Sequence, residues 1–150
     1  MPVLSLYLLI CSIAKEHCNS IICVSDTLTG IQHRLQDINS HLATKTELLS
    51  FEAEIKVLED QIDLLTSQLD PLRNFIIPSG GLAASHLHLS RAICRRTERS
   101  LCEFLADANN LDPMVLAYVN RLSDYLFTAA RFCSKVQGHL EIKYSSRQRK

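Results

Sequence analysis

The stretch FEAEIKVLEDQIDLLTSQL, running from Phe51 to Leu69, decides the fold. Its large apolar residues Phe51, Ile55, Leu58, Ile62, Leu65 and Leu69 step by four, three, four, three and four. An α-helix, with roughly 3.6 residues per turn, gathers positions spaced in this way onto one side. Glu52, Glu54, Lys56, Glu59, Asp60 and Asp63 occupy the remaining positions, so the outer face is wet and acidic. Such a helix cannot bury its stripe alone and requires neighbours of the same kind. Pro71 is expected to end it, because proline offers no N–H and forces the preceding residue out of the helical region.

The neighbours are found on both sides. Upstream, Leu28, Ile31, Leu35, Ile38 and Leu42 form a second stripe, with Ser25 and Asp26 as candidate caps and residues 44–50 as a connection. Downstream, Pro71, Pro78, Gly80 and Gly81 punctuate a non-helical stretch over 71–81. A third helix is expected from Leu82 to about Asp107. Asp112 and Pro113 then read as a cap followed by proline at the first helical position. Val115, Val119, Leu122, Leu126, Ala130 and Cys133 continue as the stripe of the next helix. No stretch alternates with period two long enough to predict a strand, and no internal repeat is visible. The expected fold class is all-α, an antiparallel bundle of four or five helices forming a single domain over residues 1–150, with a frayed basic tail over 145–150.

Composition agrees. A chain of 150 residues, 47% hydrophobic and 21% charged, is ordinary globular protein. Sixteen basic residues balance sixteen acidic ones, so the whole-protein field does not favour nucleic acid. Only four Gly and four Pro argue against a barrel built on tight turns. None of the six Cys (11, 18, 23, 94, 102, 133) forms a C-x-x-C pair, which argues against structural zinc and favours reduced, buried thiols. The apolar run from Val3 to Ala14 is short of the ~20 residues needed to cross a bilayer, so no membrane span is expected. It could serve as a signal peptide with Ser12-Ile13-Ala14 at its cleavage site, but no basic residue precedes it, and a buried helix is the preferred reading.

Three windows could carry chemistry. In the first, Arg91, Arg95 and Glu98 share one helical face, with Arg96 and Arg99 beside them. Four guanidinium groups so close together suit a polyphosphate or a carboxylate. The alternative is a solvated basic face offset by the acidic helix from Glu52 to Asp63. In the second window, Asn120 and Asp124 lie one turn apart, and Phe127 and Arg131 continue their face. They could bind a ligand or form a polar network between helices. In the third, Phe75, Ile76 and Ile77 put three large apolar residues into a loop, where they could cover the bundle end or present Phe75 to an apolar ligand. Ser79, Gly80 and Gly81 are a weak candidate for backbone phosphate donors. His86 and His88 point to different faces and are poor joint ligands, so no metal site is expected.

Together these windows resemble the trimeric ATP:cob(I)alamin adenosyltransferases. The runs 75–81, 86–89, 91–99 and 120–127 carry the resemblance, supported by Asp37 to Thr44 and Leu58 to Asp63, over roughly residues 14–137. The resemblance implies that Arg95, Arg96, Thr97, Glu98, Arg99 and Asn120 contact ATP. It implies that Arg91 supports the site through a salt bridge, with Asp124 as a further supporting residue. It also implies that Phe75 takes the lower axial side of the corrin. By family, the protein would be a homotrimer with its site between subunits, transferring the 5′-deoxyadenosyl group of ATP to cob(I)alamin and releasing triphosphate, usually with Mg. No Ser, Cys or general base is needed, because cob(I)alamin is itself the nucleophile, and arginines would stabilise the departing triphosphate. Animal members are typically mitochondrial and bacterial ones cytoplasmic. The family's Gly-, Thr- and Lys-containing opening segment has no counterpart in Met1 to Ile13, so an alternative expectation is a shortened, catalytically impaired subunit that binds corrinoid or forms trimers. An unrelated helical interaction protein would explain the stripes but not the arginine window.

Overall fold

The computed structural model describes residues 12–18, 21–44, 51–107 and 113–145, apart from the side chains of 42 and 104–107. The expectations placed on Val3 to Cys11, the 45–50 connection, Asp112 and the 146–150 tail lie outside the described residues. Residues 12–17 are helical (α1). The other elements are α2 (Ile22–Thr44), α3 (Glu52–Thr66), β1 (Ile76–Ile77), α4 (Gly81–Asp107), α5 (Pro113–Val136) and β2 (Ile142–Lys143).

The stripes become one core. Leu28, Ile31, Leu35 and Ile38 of α2, Leu58 and Leu65 of α3, and Leu87, Cys94 and Leu101 of α4 are buried in a single apolar cluster. α5 lies at its centre and packs against both α3 and α4. Every residue of α5 from Thr128 to Ser134 is buried, so this part of the helix is surrounded rather than laid on a surface. Ala14 and Cys18 bring the α1 region into the same core. The Cys18 and Cys133 sulfurs meet there at 3.7 Å. Cys18, Cys94 and Cys133 are buried thiols, whereas Cys23 and Cys102 are exposed.

α2 begins at Ile22, so Ser25 and Asp26 lie within the helix rather than capping it. Two further details differ from expectation. α3 ends at Thr66, ahead of Pro71. Its last turn tightens first, with the Gln68 amide bonding Leu65 O and the Leu69 amide bonding Thr66 O. The Ser67 hydroxyl also donates to Leu64 O at 2.7 Å. Side-chain competition of this kind unwinds a helix end before proline is reached. The second difference is a strand pair: Ile76 pairs with Lys143 and Ile77 with Ile142, antiparallel. Two-residue strands are too short to leave a period-two signal.

The ribbon leads directly into α4 through Gly80 and Gly81, both at positive φ. A Cβ on Gly80 would collide with the Ser134 side chain, and one on Gly81 with the His139 ring. The two glycines therefore serve a left-handed turn and the close approach of α4 to the end of α5. Ser79 turns its hydroxyl to Ile77 O and accepts from the Ile142 amide.

Candidate functional site

α4 and α5 present the polar edges of their stripes to the same surface. Arg95 Nη1 bonds Glu98 Oε2 at 2.6 Å, one turn along α4. The other Glu98 oxygen accepts from Asn120 Nδ2 of α5 at 2.8 Å. Glu98 thus uses both oxygens to fix an arginine and an amide from two helices. Arg95 keeps 46% of its side chain exposed while Glu98 keeps 15%, so the cation faces outward over a shielded anchor. Arg96 and Arg99 are exposed beside it. Four arginines against one glutamate between Arg91 and Arg99 leave this part of α4 strongly positive.

Four further predicted residues make contacts of their own. Thr97 is buried, and its hydroxyl donates to Ile93 O, so it lies under the arginines within the helix packing rather than on their open surface. Arg91 lies over the Phe127 ring, 5.2 Å from its centroid, in a cation–π contact. Asp124 holds Arg121 at 3.1 Å, and Arg121 reaches Glu59 of α3 at 3.3 Å. Arg121 thereby ties α5 to α3. Phe75 stands in the loop before β1 with 84% of its surface exposed. Its backbone carbonyl accepts from the Tyr144 amide at 2.8 Å.

Burial, followed by the charge of Arg91, holds His88 below its ordinary value of 6.5, against an opposing pull from Glu141. The unfolded chain therefore binds this proton more readily than the folded one. The stabilising effect of neutral His88 is present above 6.5 and is lost as pH falls towards the folded-state value. In urea titrations at neutral pH and about one unit below 6.5, His88→Leu is expected to lose less stability on acidification than wild type. An equal loss in both proteins would show that His88 does not titrate across unfolding. Among the described residues, no group of three or more His, Cys, Asp or Glu could hold a metal ion.

Sequence reasoning missed the role of Arg131, which is 8% exposed. Its Nε bonds Glu141 Oε1 at 2.6 Å, and its Nη2 donates to the Asp70 carbonyl at 2.9 Å. The signal was available. An arginine that interrupts an apolar stripe must find an anion, and Glu141 is the only acidic residue after Asp124.

The fold and the cluster together define a helical bundle with an anion-ready arginine surface and a separately displayed aromatic ring. A family model described as Cobalamin adenosyltransferase matches residues 5–133, and the chain belongs to that family. The match opens ahead of the residue 14 expected from the sequence. The corrinoid adenosyltransferase MMAB of Bos taurus is 43% identical over 128 residues, covering 79% of this chain and 53% of the relative. The corrinoid adenosyltransferase of Bacillus subtilis is 39% identical over 120 residues, covering 78% of this chain and 62% of its own length. The chain thus spans about half the length of the mammalian relatives it matches. A variant PduO-type ATP:corrinoid adenosyltransferase from Lactobacillus reuteri, solved with cobalamin and ATP, superposes with a TM-score of 0.90 at 29% identity, covering 97% of this chain and 83% of that one. A second variant of that enzyme, complexed with ATP, gives 0.90 at 30% identity over 96% of this chain and 84% of its own.

Proposed function

We propose that this chain is an ATP:cob(I)alamin adenosyltransferase. The Co–C bond forms as the bond between C5′ of ATP and the triphosphate oxygen breaks, and triphosphate leaves. The observation that carries this reading is the Arg95–Glu98–Asn120 network across α4 and α5. It fixes an outward-facing guanidinium before any ligand arrives, which is what stabilising a departing polyanion requires. Arg96 and Arg99 extend the cationic surface, Asn120 adds an amide, and Thr97 supports them from beneath. Arg91 and Asp124 hold the surrounding packing. Phe75, on the ribbon side, meets the lower face of the corrin. Mg accompanies ATP as substrate.

The active unit in this proposal is a homotrimer with its site between subunits. Ile22, Val57, Leu64, Leu82, Leu89 and Val136 remain exposed although each lies on a helix with a filled core stripe, and apolar positions of this sort support an interface. Residues 1–150 form one domain. No helix among the described residues is long and apolar enough to cross a membrane. A mitochondrial location is proposed if the source is an animal, and a cytoplasmic one if it is a bacterium.

The test is anaerobic incubation of the chain with MgATP and chemically reduced cobalamin, followed by its absorption spectrum. Formation of adenosylcobalamin supports the proposal. Cobalamin binding without turnover would favour the corrinoid-binding subunit, and neither binding nor turnover would sink both readings.

A further inference from the structure

We infer that Arg131 is a positioning residue for the corrinoid side of the site, acting through the loop that carries Phe75. The inference rests on the proposed corrinoid reading of Phe75. With 84% of its surface exposed, Phe75 has little side-chain packing to hold it, so its backbone must set its place. That backbone has two tethers. On one side, five residues before Phe75, the Asp70 carbonyl accepts from Arg131 Nη2 at 2.9 Å. On the other, the Tyr144 amide donates to the Phe75 carbonyl, and Ile76 and Ile77 pair with Lys143 and Ile142.

Both tethers return to one side chain. Glu141 directly precedes β2, and its carboxylate accepts from Arg131 Nε at 2.6 Å and from Nη2 at 3.4 Å. Arg131 therefore grips the incoming arm at Asp70 and the bracing strand at Glu141 from within the surrounded part of α5. Arginine suits this role because its rigid planar fork spreads donors towards two separated acceptors, where lysine offers one compact point charge. The neighbouring Lys135 Nζ makes one such single contact, to Gln68 O at 2.8 Å. Clefts of about 290 and 270 Å³ flank the Arg131–Glu141 pair, so the arms are joined by these polar contacts rather than by continuous apolar packing.

The experiment compares wild type, Arg131→Met and Glu141→Ala by three readouts. These are MgATP affinity, hydrogen exchange of the Tyr144 amide, and the fraction of bound cob(II)alamin that becomes four-coordinate, read by electron paramagnetic resonance. In both variants, MgATP affinity is expected to stay at the wild-type level. The Tyr144 amide should exchange about tenfold faster or more, as loss of a charge-assisted bond implies, and the four-coordinate fraction should fall. Glu141 is partly exposed, so Glu141→Ala carries the test if Arg131→Met does not fold. Wild-type exchange and a wild-type four-coordinate fraction in a folded variant would overturn the inference. Faster exchange alongside a wild-type protein that forms no four-coordinate cobalt would leave the brace standing, but would overturn both its catalytic meaning and the corrinoid reading of Phe75.

Discussion

Arg95→Ala is expected to lower kcat/KM for adenosyl transfer by about 10²–10³-fold, the cost of removing one preorganised donor from a developing anion. The side chain is 46% exposed, and its ion pair with Glu98 spans a single helical turn, so the melting temperature should move little. The loss should appear in kcat as well as in KM, because the guanidinium is needed most as triphosphate takes up charge. Glu98 gives a control. Glu98→Gln keeps the bond to Asn120 in reach but weakens the hold on Arg95, so its loss should be smaller. Steady-state rates at saturating cob(I)alamin check both. An Arg95→Ala enzyme with wild-type kcat would remove the α4 cluster from the reaction.

Phe75→Ala is the second large effect, on the order of 10²-fold in kcat, comparable to misplacing a reacting group. An exposed ring contributes little to the fold, so stability should be unchanged. Affinity for ATP should be unchanged too, since Phe75 sits at the ribbon and the arginines sit on α4. The measured change should be a smaller four-coordinate cobalt fraction with a normal KM for ATP. A fall in ATP affinity instead would place Phe75 on the nucleotide side.

The bundle was legible because its signal is repetitive. The stripes of α2, α3 and α5 recur over three or more turns, and each position falls where a period of roughly 3.6 puts it. The α4 start was read to within a residue because two glycines mark it. The Arg95–Glu98–Asn120 meeting was also legible, since all three lie on stripe edges of adjacent helices. Other features depend on contacts between segments far apart in sequence. Arg91 meeting Phe127, Asp124 serving α3 through Arg121, and the β1–β2 pairing are set by how the helices pack. Thr97 shows the same limit within one helix. Its type suits a phosphate contact, but its angular position puts it inward, where its hydroxyl bonds its own backbone.

The α4–α5 pair has a consequence for how the site comes into being. Arg95, Glu98 and Asn120 lie on two consecutive antiparallel helices joined by a short connection, so their meeting closes a small loop and carries little entropic cost. The ribbon that carries Phe75 is different, because β1 and β2 lie on opposite sides of that whole helical hairpin in sequence. The proposed nucleotide half is thus expected to organise early in folding from local contacts, whereas the ribbon half waits until α5 has found its place and the chain beyond it returns. A long-range ribbon held by few bonds is expected to open more readily than the helical core. Conformational freedom is then expected on the side of the molecule that would admit the bulkier of its two proposed substrates.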